Sequence, residues 1–320
     1  MFDVVIVGAG PAGLACAIAA RRNGLKCIVL EKGTVADAIR RFPTQMTFFS
    51  TSEMLEIGDI PFLSGASRPT RVEAVKYYQS VARAFRLDIR AGREATSVRP
   101  TRTGFEVTDA TGEEWSCAAV VVSTGYFDTP HPFHVKGSEL PKVRRAYDEP
   151  FAYTGKEVAL VGGRNSVVDA ALDLYRAGAR VSIIHRGQTF SEGVKYWLLP
   201  DINNRIASGA INAYFNRTVR EIRPGSILLA GGEGEEIAND VVWVMIGYTI
   251  DSGLLERAGV HIDPVTMAPQ HDPVTFETNV PALYVAGSIA AGKLNNKIFI
   301  ENGRLHGEAI VQSILATKSG

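Results

Sequence analysis

Cysteine is scarce in this chain of 320 residues: only Cys16, Cys27 and Cys117 occur, and no two of them stand in C-x-x-C spacing. Three scattered thiols build neither a disulfide framework nor a zinc site, so no metal is expected. Neither sign of charge is in excess, with 34 basic against 34 acidic side chains. No global field draws such a protein to nucleic acid or to a membrane surface, and neither is expected as a partner. Long hydrophobic runs are missing too. The longest apolar stretches are strand-sized, too short to span a bilayer. A strand-like run begins at Asp3, which leaves no room for a signal or transit peptide, and a cytoplasmic protein is expected. Nor is there an identifiable Ser/His/Asp set or carboxylate pair. His131, His134, His261, His271 and His306 read as loop or core residues, with His306 the one that merits a test.

What is present is glycine in a particular place. The stretch DVVIVGAGPAGLACAIAARRNGLKCIVLEKG, residues 3 to 33, sets a buried strand before Gly8, Gly10 and Gly13. An alanine-rich helix follows, stopped at Gly24, and then a second apolar strand ending in Glu31. In this spacing Gly8 allows the tight turn and Gly10 the close approach of a pyrophosphate. Gly13 lets helix and strand pack together. The free N–H groups at the helix start then take the phosphates. Glu31, 23 positions after Gly8, stands where a carboxylate accepts from ribose hydroxyls.

The same plan returns 154 positions later. Val158 to Val161 reads as a strand, Gly162-Gly163-Arg164-Asn165-Ser166 as the turn, and about Val167 to Ala177 as the helix. Val181 to Ile184 is a second strand, but it ends in His185-Arg186 with no acid. A guanidinium there suits a 2′-phosphate, whereas Glu31 repels one. The first unit thus wants an adenosine without the extra phosphate and the second wants NADP. Arg164 replaces a glycine; it either reaches a phosphate or weakens the turn.

Between the units, residues 46 to 62 (MTFFSTSEMLEIGDIPF) have no clean period. They read either as a loop over a ligand or as a connector whose phenylalanines fill core. Arg71 to Phe85 has helical spacing. Short strands from Asp88 to Val122 predict a small antiparallel layer ending at Thr124-Gly125. Tyr126 to Tyr153, rich in Pro, His and Gly, reads as a linker. KYWLLPDINNRI, residues 195 to 206, reads as a substrate approach or a loop into a helix. LYVAG, residues 283 to 287, and a helix from Ile298 towards Leu315 close the chain.

These segments carry a resemblance. The two dinucleotide units, STG at 123 to 125, GYTID at 247 to 251 and YVAG at 284 to 287 resemble the low-molecular-weight thioredoxin reductase superfamily. FPTQMTFFSTSEMLEIGDIPF, GGRNSVVDAALDLYRAGA, KYWLLPDINNRI and AGKLNNKIFIENGRLHG (291 to 307) are similar to the YpdA-type bacillithiol disulfide reductases within it. The resemblance implies an α/β fold of two Rossmann-like domains with small antiparallel β layers. The FAD-binding domain would be discontinuous, residues 1–124 and 252–320, and the NADPH-binding domain would span 125–251. It implies the FAD pyrophosphate on Gly8, Gly10, Pro11, Ala12 and Gly13, and the adenosine on Glu31, Lys32 and Gly33. Thr47 and Phe48 would lie near the flavin. Thr124, Gly125, Gly287 and Ser288 would close around it, with Lys297 and Ile298 approaching the ring. NADPH would take Gly162, Gly163, Arg164, Asn165, Ser166, His185 and Arg186.

On this basis the chain is expected to be a homodimeric NADPH oxidoreductase. It would pass hydride through flavin to a low-molecular-weight disulfide or a redox protein. The bacillithiol branch is proposed to use a cysteine in G-P-C-G, where this chain has Ala12. Cys16, one helical turn on, is then the remaining candidate, and packing is its simpler role. A ferredoxin- or flavodoxin-NADP reductase without a redox cysteine is an alternative, as is a non-enzymatic flavin-binding redox sensor.

Overall fold

The computed structural model describes residues 1–232, 234–294 and 297–319. It divides into two units: residues 1–40, 50–129 and 248–320 form one, and 41–49 with 130–247 form the other. The loop segment 41–49 therefore groups with the second unit, and the cuts fall at 129/130 and 247/248.

In the first unit, β1 (Phe2–Val7) and β2 (Cys27–Glu31) pair in parallel, with Val4 opposite Cys27 and Val7 opposite Leu30. Their near-continuous runs of Val, Ile and Leu follow from burial on both faces, which leaves no solvent side for polar residues. α1 (Pro11–Arg22) connects them, with proline at its first position where no N–H is needed. β3 (Ile89–Ala91), β4 (Ala95–Thr101), β5 (Gly104–Asp109) and β6 (Glu114–Val122) complete the order β3-β2-β1-β6-β5-β4, and Leu283–Val285 also pairs with β6.

The expected antiparallel layer exists, but it is continuous with the main sheet. β6 is long enough to do both jobs. Its first half pairs antiparallel with β5, Glu114 opposite Thr108, and its second half parallel with β1, Val122 opposite Val7.

α2 (Arg71–Ala84) starts on a capping box, with Thr70 accepting from Glu73 N–H while Glu73 accepts from Thr70 N–H. Those hydrogen bonds pull the Glu73 carboxyl down to about 2. Thr70→Ala should therefore cost about 1 kcal/mol of stability, read as a lower urea midpoint at unchanged slope. The helix in turn holds the loop before it. Tyr78 Oη donates to Leu55 O at 2.8 Å, and Tyr77 stacks on Phe62 at 4.3 Å. Within the 46–62 stretch Phe48 and Phe62 are buried, while Phe49 is exposed.

In the second unit, β7 (Glu157–Val161), β8 (Arg180–His185), β9 (Ile211–Phe215) and β10 (Val241–Val244) lie in the parallel order β9-β8-β7-β10, with Val143–Arg144 at the edge. α3 (Asn165–Arg176) joins β7 to β8, and α4 (Leu199–Ala207) leads into β9. A separate three-stranded antiparallel sheet spans residues 218 to 238.

The single closing helix expected from Ile298 is in fact two: Ile300–Gly303, and α5 (His306–Ser319). The break falls where Arg304 turns to donate to the carbonyls of Glu53 and Glu56. No helix among the described residues is long and apolar enough to cross a membrane.

Candidate functional site

The first glycine turn lies at the C-terminal ends of β1 and β6. Gly8 has φ +106°, and a Cβ added to it would sit 2.7 Å from Ser123 O. At Gly13 the added Cβ would be 2.0 Å from Gly8 O and 2.5 Å from Ser123 Oγ, so α1 approaches the strand as closely as backbone allows. At Gly10 it would meet nothing within 4 Å. Gly10 caps α1 without a side-chain partner for the helix N–H groups. A turn tight below and open above is what a pyrophosphate requires, so these residues fit one.

Glu31 ends β2 with its carboxylate drawn into the turn. Oε2 accepts from Ala9 N–H and Oε1 from Gly33 N–H, both at 2.7 Å. Burial pushes its pKa up, and the two N–H donors pull it partway back. Each oxygen keeps a lone pair for a hydroxyl donor. Lys32 beside it pairs with Asp128 at 3.1 Å.

Two segments converge on this turn. Gly287 follows the strand Leu283–Val285 in a left-handed conformation, φ +73°, and a Cβ there would lie 2.8 Å from Ala12 Cβ. Gly125, φ +72°, faces Ser288, whose Oγ is 3.6 Å from its added Cβ. Thr124 is exposed beside them. Lys297 is exposed and Ile298 packs on the core, while Asn295 and Asn296 of the same motif lie outside the described residues. Thr47 and Phe48 belong to the segment that groups with the second unit, where Phe48 packs on Phe42 at 6.3 Å.

Cys16 requires correction as a catalytic candidate. It is 1% exposed, and burial raises its thiol to about 12. Gly307 of α5 packs directly on it, with an added Cβ 2.7 Å from Cys16 N. Cys117 is equally buried and also raised to about 12, and Cys27 is raised by burial. A thiolate is the nucleophile, and burial raises each of these thiols away from that form.

The second turn repeats the first with substitutions. Gly162 has φ +142° and packs on Met245 O. Gly163 lies under the His185 ring, so closely that a Cβ would be 2.3 Å from Nδ1. Burial and the neighbouring Arg186 lower the His185 pKa, leaving the ring neutral at pH 7. Arg164 caps α3 and Arg186 directly follows β8; both are exposed. Among the described residues no carboxylate pairs with either guanidinium. Ser166 lies half-buried in the first turn of α3.

Asn165 departs from expectation in its side chain. Its Nδ2 donates to Gly193 O and its Oδ1 accepts from Lys195 N–H, each at 2.8 Å. The amide is thus committed to the following loop, and only its backbone N–H remains at the helix start. Lys195 is itself buried and pairs with Asp169 at 2.8 Å. The sequence stretches contain Ser123 and Lys195 but give neither its role: Ser123 locks the first turn by donating to Val7 O and Gly8 O, and Lys195 pairs with Asp169. Ser123 had a signal in its place before Thr124-Gly125; a lysine and an aspartate 26 positions apart had none.

Comparison with known proteins agrees with this geometry. The family described as Pyridine nucleotide-disulphide oxidoreductase matches residues 5–287. Bacilliredoxin reductase Bdr of Bacillus subtilis (strain 168) is 39% identical over 312 residues, 97% of this chain and 96% of that protein. Bacillithiol Disulfide Reductase Bdr (YpdA) from Staphylococcus aureus superposes with a TM-score of 0.94 at 38% identity, covering 99% of both chains. Thioredoxin reductase of T. acidophilum superposes with a TM-score of 0.81 at 24% identity over 100% of this chain and 99% of that one. That last likeness shows a thioredoxin reductase-like fold.

Proposed function

The chain belongs to the pyridine nucleotide-disulphide oxidoreductase family, an oxidoreductase family that uses FAD and NAD(P)H, and we propose that it carries two electrons from NADPH to a low-molecular-weight disulfide of the bacillithiol type. One observation carries the reading: two glycine turns of one plan finish their second strands oppositely, one on Glu31 and the other on His185 followed by Arg186. The first unit then holds FAD and the second NADPH. The net reaction is RSSR + NADPH + H⁺ → 2 RSH + NADP⁺.

The two cofactors, when bound, supply the hydride chemistry. The chain's own residues bind and orient. In the first unit Gly8, Gly10, Pro11, Ala12 and Gly13 with the start of α1 take the FAD pyrophosphate, and Glu31, Lys32 and Gly33 its adenosine. Thr124, Gly125, Gly287, Ser288, Lys297 and Ile298 line the rest of that cradle. In the second unit Gly162, Gly163, Arg164, Ser166 and the backbone of Asn165 take the NADPH phosphates, with His185 and Arg186 at the adenosine end. The resemblance extends the reading to Thr47 and Phe48 near the flavin and to a cytoplasmic homodimer.

The proposal includes an absence. With Ala12 in place of a cysteine, Cys16 and Cys117 buried and Cys27 half-buried with its thiol raised, no protein thiol forms a mixed disulfide with substrate. Cys16→Ala, Cys27→Ala and Cys117→Ala combined should leave disulfide-dependent NADPH oxidation within about twofold of wild type. A large loss with flavin still bound would restore a thiol mechanism. The burial of Cys16 and Cys117 and the raised thiol of half-buried Cys27 also favour a second reading, a ferredoxin- or flavodoxin-NADP reductase. An anaerobic acceptor panel decides between them: faster turnover with an iron–sulfur protein than with any disulfide would replace the first reading by the second.

A further inference from the structure

We propose that His306 is a positioning residue of the first unit, whose imidazole holds the Gly287 N–H and thereby sets the turn that meets Ala12. The functional consequence rests on the reading that this cradle binds FAD. His306 opens α5 and is 6% exposed. Its Nδ1 lies 3.2 Å from Gly287 N. A backbone N–H can only donate, so Nδ1 carries the lone pair and the ring proton sits on Nε2.

The ring is held as firmly as the turn it holds. Phe276 stacks on His306 at 3.8 Å and 16°, and Phe276 stacks in turn against His271 at 6.0 Å and 18°. Phe276 has φ +61°, a left-handed conformation unusual for a bulky side chain and the kind that persists where surrounding structure imposes it. Its carbonyl accepts from Val285 N–H at 3.0 Å. Phe276 is therefore tied to the strand, and His306 to the turn two residues beyond it.

Close backbone approaches surround that point. A Cβ at Gly303 would lie 3.3 Å from Gly287 Cα, and one at Gly307 would lie 2.7 Å from Ala15 C. Gly287 cannot shift outward without meeting α1 or the Ile300–Gly303 turn. The Gly287 N–H is also buried, so an N–H left without an acceptor there would be costly.

The neutral ring is the form this packing accepts. Burial, aided by His271, lowers the His306 pKa to about 4. His271 is the titratable group that acts on it. The unfolded chain takes up its proton nearer 6.5. The stabilisation is therefore whole above that value and is lost as pH falls through the window down to about 4.

Two measurements test this. Ring ¹⁵N spectra of flavin-free protein should show His306 protonated on Nε2 and bare on Nδ1 at pH 7, titrating close to 4. Two variants then separate ring from acceptor. His306→Phe keeps the stack and loses the acceptor; His306→Asn keeps an oxygen near the place of Nδ1 and loses the stack. The flavin dissociation constant should rise about tenfold or more in His306→Phe and stay within about threefold in His306→Asn.

An Nδ1–H tautomer, a midpoint at 6.5, or wild-type flavin affinity in His306→Phe overturns the proposal. Equal loss in both variants overturns it as well, because the ring and not its lone pair would then matter. Wild-type protein that binds no flavin would instead sink the reading of the cradle, and the tautomer measurement would decide the role of His306 alone.

Discussion

Gly13→Ala should purify without flavin and with a lowered melting temperature. A methyl at this position would lie 2.0 Å from Gly8 O and 2.5 Å from Ser123 Oγ. The serine hydroxyl could rotate away only by giving up its bonds to Val7 O and Gly8 O. The Gly8 carbonyl cannot move at all without β1, whose register with β2 and β6 is fixed on both sides. The remaining response is for α1 to lift off the strand. Overpacking of this kind costs about 1–3 kcal/mol, and it displaces the helix N–H groups on which the proposed pyrophosphate site depends.

Gly10→Ala is the control that separates the two effects. It has ordinary backbone, φ −74°, and its methyl would meet no atom within 4 Å. Folding should be untouched, while the methyl enters the space assigned to phosphate. The expected pair is therefore loss of both flavin and stability at Gly13, and loss of flavin alone at Gly10. Visible flavin absorbance after desalting, beside a melting curve, reads both. Gly13→Ala with a full complement of flavin and the wild-type melting temperature would show that the close approach carries no such weight.

How much could be read beforehand follows from the same physics. Both βαβ units were legible because a strand buried on both faces has an unbroken apolar run, and because the turn after it admits few residues. The opposite chemistry of Glu31 and Arg186 was legible as well, since the end of the second strand is set by spacing. What could not be read depended on contacts between distant segments. The grouping of residues 41–49 with the second unit is one such case. The Asn165 clamp on residues 193–195 is another, because an amide after a glycine turn looks like a ligand until its partners are seen. The broken last helix is a third. Ile298 to Leu315 reads as one run, and only the reach of Arg304 to Glu53 and Glu56 shows why it stops and restarts. Cys16 lies between these extremes: its place one turn into α1 already argued against a thiolate, and Gly307 packing on its backbone completes the case.

Arg186 and Arg164 should separate in their effects on the two nicotinamide nucleotides. NADPH differs from NADH only in the 2′-phosphate, and in the proposed arrangement Arg186, directly after β8, is the group that meets it. Charge-assisted hydrogen bonds to a guanidinium are worth about 1.5–3 kcal/mol, so Arg186→Ala should lower kcat/KM for NADPH by about a hundredfold. Turnover of NADH should hardly change, and the preference between the nucleotides should collapse. Arg164 caps α3, where the proposed arrangement puts the pyrophosphate that both nucleotides share. Arg164→Ala should therefore lower kcat/KM for both by a similar factor and leave the preference intact. Both side chains are exposed, so neither substitution should move the melting temperature, and lost activity would not be confused with lost fold. Stopped-flow reduction of the bound flavin by each nucleotide, in wild type and both variants, gives the six numbers required. A wild-type preference for NADH, or an Arg186→Ala loss that falls equally on NADH, would remove the 2′-phosphate from β8 and the assignment of NADPH to the second unit with it.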